Sequence, residues 1–200
     1  MENQEETIRH WLITWTCYGT RLPGAAAGFV GNVRESDGTQ VTHNVPGTPC
    51  DADMPLLEAY VRRHMSGSPV QMEQRDAEAM IRQYQETARI RGWILQAASV
   101  MVDHTHVVIS VPGDPDPQSI LETLKSWATR ALKKHRPIPA NGTYWTAKGS
   151  RRKLPGDQAV REAVIYVVEK QPNPLAVLYA PDWQQALDEY RASQNPYRSG

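Results

Sequence analysis

Residues 93–111, WILQAASVMVDHTHVVISV, hold two apolar runs separated by a single acidic residue. Runs this rich in Val, Ile and Trp favour the pleated backbone, so they predict strands over residues 93–102 and 104–111. Asp103 suits the tight turn between them. Working backward, residues 71–91 repeat Met72, Ala79, Met80, Tyr84 and Ala88 near helical spacing, and Gly92 ends that helix. Working forward, Ile120, Leu124, Trp127, Ala131 and Leu132 mark a helix from about residue 115 to 135, stopped by Pro137 and Pro139. Residues 10–18, HWLITWTCY, read as a buried strand. Residues 19–55 form a long Gly-, Pro- and Asn-containing connection, with short strands near 29–33, and residues 55–65 a short helix. After the central elements come a candidate strand at 143–147, a basic loop at 148–155 and a helix over 158–170. Asp157 is placed to cap that helix, and Pro172 and Pro174 to end it. A last helix at 183–192 precedes a polar tail. The order β–loop–α–β–β–α–β–α predicts an α+β, ferredoxin-like sandwich with a mainly antiparallel sheet, helices on one face and a long insertion after the first strand. Other α+β arrangements share the pattern. No linker divides the chain: a single domain over 1–200 is expected, with its core at about 9–178, the insertion at 19–55 and the C-terminal helix and tail at 181–200.

Composition bounds the chemistry. The longest apolar runs fall far short of the roughly 20 residues a membrane span needs. The polar, acidic start is unlike a signal peptide. Two cysteines, Cys17 and Cys50, make no disulfide framework and lack zinc-site spacing, so a reducing cytoplasm is expected. Net charge is zero, which gives no support to polyanion binding, but its distribution does. Residues 123–156 lack Asp and Glu and carry nine cations: Lys125, Arg130, Lys133, Lys134, Arg136, Lys148, Arg151, Arg152 and Lys153. Such a run is either a nucleic-acid surface or a solvated helix face followed by a charged loop.

The chemistry-bearing residues are a histidine pair and a tyrosine. His104 and His106 lie two apart on a strand and so share a face, where both imidazoles can meet one cation. Softness favours Mn, Zn, Ni or Fe over Mg at such a pair. The same spacing also arises when two strand histidines are merely satisfied by hydrogen bonds. His10, His43, His64 and His135 have no partner spacing and read as structural or surface residues. In REAVIYVVEKQPNP, Tyr166 lies near the end of an apolar helix. A phenol is a poor nucleophile at neutral pH unless a metal polarises what it attacks. By itself Tyr166 reads as a core or interface residue.

Taken together, WLITWTCYGTRLPG, VMVDHTHVVIS, YWTAKGSRRKLP and AVIYVVEKQPNPLAV, in that order between Trp11 and Val177, resemble the REP-associated tyrosine transposases, a branch of the HUH single-strand nucleases. The resemblance implies a ferredoxin-like core, a Mg or Mn ion, a tyrosine that becomes joined to a DNA 5′-phosphate, and recognition of a hairpin beside the cleavage site. It matches His104 and His106 to the metal-binding histidines and Tyr166 to the nucleophile. The family usually has an amide or acidic side chain about one turn after the tyrosine. Here Lys170 is four residues on and cannot bind metal while protonated, which leaves Gln171, favoured as an amide, or Glu169.

The expected activity is metal-dependent cutting and rejoining of single-stranded DNA. The expected DNA contacts are Lys125, Arg130, Arg151, Arg152 and Lys153, with Trp127 or Trp145 stacking on a base. Asp103 has two readings, as a turn residue or as a partner that orients a histidine. The alternatives are a non-cleaving hairpin-binding protein and, further off, a metal phosphodiesterase of small molecules. Monomer and homodimer are both compatible, and no membrane partner is expected.

Overall fold

The computed structural model describes residues 7–25, 32–34, 40–42 and 54–194. It divides into two units. The first comprises Met1–Trp15, Met72–Pro137 and Ala147–Gly200; the second comprises Thr16–Gln71 and Ile138–Thr146.

The first unit holds a five-stranded sheet. In chain order its elements are β1 (Ile8–Thr16), whose last residue falls in the second unit, then α2 (Gln74–Arg91), β4 (Ile94–Val100), β5 (His104–Pro112), α3 (Pro117–Leu132), β6 (Ser150–Leu154), α4 (Asp157–Glu169), β7 (Ala176–Tyr179) and α5 (Gln184–Ser193). The second unit contains β2 (Asn32–Arg34) paired with β3 (Gln40–Thr42), and helix α1 (Pro55–Arg63). The two short strands lie in the expected insertion. His43 and Cys50 fall outside the described residues.

Strand order is β6-β1-β5-β4-β7. The pairs β1–β6, β4–β5 and β4–β7 are antiparallel. Across β1 and β5, His10 meets Ser110 and Thr14 meets His106, so the numbering runs in opposite directions and this pair is antiparallel too. The first four strands of that order are the ferredoxin-like arrangement expected from the sequence, and β7 adds a fifth. Helices α2 and α3 pack together on one face: Trp15 of β1 meets Tyr84 of α2 edge-on, with ring centroids 5.9 Å apart. The other face, with Leu12, Ala97, Val108 and Leu154, is covered by α4 and α5 through Val160, Val164, Val167 and Leu187. The helices of the ferredoxin-like pattern thus share one face, and the C-terminal helices use the second.

Local signals explain most boundaries. Gly92 takes the left-handed conformation (φ 65°) that closes α2, and Asp116 caps α3 by accepting from the Gln118 amide. Helix α4 differs from expectation: Gly156, at φ 83°, occupies the capping position, and Asp157 is the first helical residue. There its charge still faces the positive end of the helix dipole. The last strand of the ferredoxin-like set also differs. Residues 143–147 contribute only an isolated bridge, Cys17 with Trp145, while the basic segment SRRKL forms β6. Its first four side chains are exposed, as befits a sheet edge, where charge is tolerated and even useful.

A buried charge cluster ties the two helices of the first face. Asp76, 3% exposed, accepts from the Glu73 amide at the start of α2 and binds His135 (2.8 Å) and Arg136 beyond the end of α3. His10 bonds Ser110 and His64 bonds the Tyr60 carbonyl, so these three histidines have structural partners, as expected.

Candidate active site around the histidine pair

Strand β5 alternates as the sequence requires. Thr105, Val107, Ile109 and Val111 are buried towards α2 and α3, which leaves His104, His106 and Val108 on the face of α4. The two imidazole centroids are 4.9 Å apart, with planes at 88°. Helix α4 delivers Tyr166, whose ring centroid lies 5.3 Å from that of His106. His106 is 5% exposed, whereas Tyr166 is 40% exposed although its neighbours Ile165 and Val167 are buried. An apolar helix therefore anchors its two flanks and leaves one phenol open to solvent, beside a sheltered imidazole.

Each histidine is held at Nδ1. His104 Nδ1 contacts Asp103 Oδ1, and His106 Nδ1 lies 2.7 Å from Thr14 Oγ1 on β1. Asp103 therefore orients its neighbour as well as occupying the β4–β5 turn. In both rings Nε2 is the nitrogen not engaged by these oxygens. Opposite His106 on β4 stands Ser99, fully buried, whose Oγ finds no hydrogen-bond partner among the described residues. Buried hydroxyls are ordinarily satisfied. Two imidazoles on one face, with the unpartnered Oγ of Ser99 across the strand pair from His106, are nitrogen and oxygen donors of the kind a divalent cation accepts.

The third position is less complete. Among the described residues no group of three or more His, Cys, Asp or Glu is arranged to hold a metal ion. Glu169 is occupied: its Oε1 accepts from Arg191 Nε (2.9 Å) and Nη2 (2.7 Å). Lys170 leans over the Tyr190 ring, with Nζ 5.5 Å from its centroid. Gln171 turns back, and its Nε2 donates to the Tyr166 carbonyl at 3.1 Å. That bond keeps the amide beside the tyrosine's own turn.

The basic residues are dispersed. Lys125 donates from Nζ to the carbonyls of Ala147 (3.3 Å) and Lys148 (3.2 Å), and burial pushes its ammonium down to about 8, against the opposing pull of Glu122. It braces the approach to β6. Arg130 stacks on Trp127 at 4.2 Å. The β1–β6 register pairs Leu12 with Arg152 but Ile13 with Arg151 and Trp11 with Lys153. Directly opposed residues share a face. Arg152 therefore lies on the histidine face, while Arg151, bonded to Gln118 of α3, and Lys153 lie on the other. Trp145 is only 6% exposed and offers no surface for stacking a base. The residues sequence reasoning missed are Thr14 and Ser99, brought to His106 only by strand pairing.

Residues 68–149 match the family model described as Transposase IS200 like. The matched segment contains both histidines; Tyr166 lies beyond it. No curated protein matches the chain. A solved structure of a REP-associated tyrosine transposase bound to a REP hairpin is 13% identical, over 84% of this chain and 69% of its own, with a TM-score of 0.42. A crystal structure from Deinococcus radiodurans R1, described there as a transposase candidate, is 11% identical over 98% of each chain, with a TM-score of 0.39. No helix among the described residues is long and apolar enough to cross a membrane. The segment that holds both histidines is thus similar to the IS200-like transposases, over less than half of the chain.

Proposed function

We propose that this protein is a metal-dependent endonuclease and strand transferase for single-stranded DNA, acting beside hairpins through a 5′-phosphotyrosine. The observation that carries the reading is the convergence of His104, His106 and Tyr166, from one strand and one helix, on a single face of the sheet. His104, His106 and Gln171 would hold a Mg or Mn ion, which supplies charge to polarise the scissile phosphate. Tyr166 Oη attacks phosphorus in line. The O–P bond to the tyrosine forms, the bond to the 3′ oxygen breaks, and that oxygen leaves as a 3′-hydroxyl after taking a proton. The phenolic proton passes to solvent, which the half-open position of the ring permits. Attack by a 3′-hydroxyl on the phosphotyrosine reverses the step and rejoins strands without ATP. Arg152, on the histidine face, steadies a neighbouring backbone phosphate.

The test is a labelled hairpin oligonucleotide with a single-stranded flank, incubated with the full chain and Mn and resolved under denaturing conditions. A covalent protein–DNA band is expected, and Tyr166→Phe abolishes it while hairpin affinity stays nearly unchanged. Cleavage at an unaltered rate in this variant places the nucleophile elsewhere. A second reading, a hairpin-binding protein that does not cut, is favoured by one observation: Arg191 occupies Glu169, which leaves an amide as the third donor. It predicts binding without any adduct.

A further inference from the structure

We infer that Thr14 is the positioning residue for His106, and that the Thr14–His106 hydrogen bond reverses direction when the site takes up a divalent ion. The inference rests on the metal reading above and adds to it how the second histidine is set.

The two rings are held by chemically different partners. Asp103 is a carboxylate and, when ionised, can only accept. It fixes His104 with its proton on Nδ1 and its lone pair on Nε2, whether or not a cation is present. Thr14 is a hydroxyl and can donate or accept. His106 therefore has two neutral tautomers, and the direction of its bond to Thr14 differs between them. When Thr14 donates, the ring proton is on Nε2 and that atom cannot bind a cation. When Thr14 accepts, the proton is on Nδ1 and Nε2 carries the lone pair. Which nitrogen meets a metal is set by the bond the other one makes. Uptake of an ion therefore moves one proton from Nε2 to Nδ1 and turns the Thr14 hydroxyl away. Thr14 is only partly buried, so its hydroxyl hydrogen can turn towards solvent. No net proton is gained or lost.

The position of Thr14 is itself well supported. A side chain at Gly149 would bring a Cβ within 2.7 Å of the Thr14 carbonyl oxygen and 3.0 Å of Leu121, so the backbone entering β6 lies directly against Thr14. Lys125 fastens the two residues before that glycine by their carbonyls. A cation far from the histidines in sequence thus helps hold the strand that orients one of them. With His106 only 5% exposed, few rearrangements of its ring are open apart from the tautomer.

The experiment compares wild type, Thr14→Val and Thr14→Ser, with melting curves to show that all three fold. Manganese affinity is measured by calorimetry and the His106 tautomer by ¹⁵N NMR, with and without magnesium. Loss of a partner in this position typically costs about 10- to 100-fold in metal affinity. T14V should bind Mn at least tenfold more weakly, and T14S should return to near wild type. In wild type, magnesium should move the His106 proton from Nε2 to Nδ1 while His104 stays unchanged. T14V binding as tightly as wild type, or a His106 proton that does not move, overturns the inference and leaves the metal reading standing. Wild type that binds Mn no better than His104→Ala overturns both.

Discussion

The face division of β6 can be tested by salt dependence. A protein that neutralises phosphates releases counterions, and on single strands each contact adds about 0.7 to the slope of log affinity against log salt. If DNA lies over the histidines, Arg152 can contribute one such contact, while Arg151 and Lys153 are on the face of α2 and α3. Arg152→Ala should therefore flatten the slope by about 0.7, equivalent to about a 2.6-fold smaller affinity loss over a fourfold rise in salt. The double variant Arg151→Ala, Lys153→Ala should leave the slope where it is. Fluorescence anisotropy of a labelled hairpin with a single-stranded flank, titrated at several salt concentrations, gives both numbers. A scrambled strand of the same length should show the same change, because phosphate contacts carry little sequence information. If the double variant loses about 1.4 and Arg152→Ala loses nothing, DNA lies on the helix face and the assignment of the histidine face as the substrate side fails.

Two further expectations concern the scaffold. The folded protein holds the Lys125 proton less tightly than the unfolded chain does, so unfolding takes up a proton between about 8 and the ordinary 10.5, and stability rises with pH across that window. Urea midpoints of wild type should show this rise and those of Lys125→Met should lack it; parallel curves would refute the burial of the charge. Removing Asp76 takes from His135 and Arg136 a carboxylate partner whose own side chain is 4% exposed. Asp76→Ala should cost about 3 kcal/mol, the lower end for breaking a buried pair, and a loss below about 1 kcal/mol in equilibrium unfolding would rule out that role.

Much of this was legible in the chain. The alternation in DHTHVVIS places both histidines on one face without any tertiary knowledge, and the helical periods around residues 71–91 and 115–135 become α2 and α3. What escaped has physical causes. SRRKL has the composition of a loop, and it can be a strand only because it lies at a sheet edge and needs little burial. Residues 143–147 look more strand-like, yet they make just one bridge. Thr14 is 92 residues from His106, so their bond depends on which strands become neighbours. The candidate donors after Tyr166 are distinguished by partners that are themselves distant: Arg191 takes up Glu169, and only Gln171 stays with the tyrosine's turn.

The outer position of β6 has a consequence for solubility. The strand pairs with β1 on one side and ends the sheet on the other, so its outward backbone groups could template another strand. A second copy pairing antiparallel along that edge would bring Arg151, Arg152 and Lys153 against the same three charges. Like charges directly opposed across a strand pair destabilise it. The edge therefore repels its own kind while remaining open to polyanions. Apolar substitutions there would leave the fold's interior untouched and still make the protein prone to self-association.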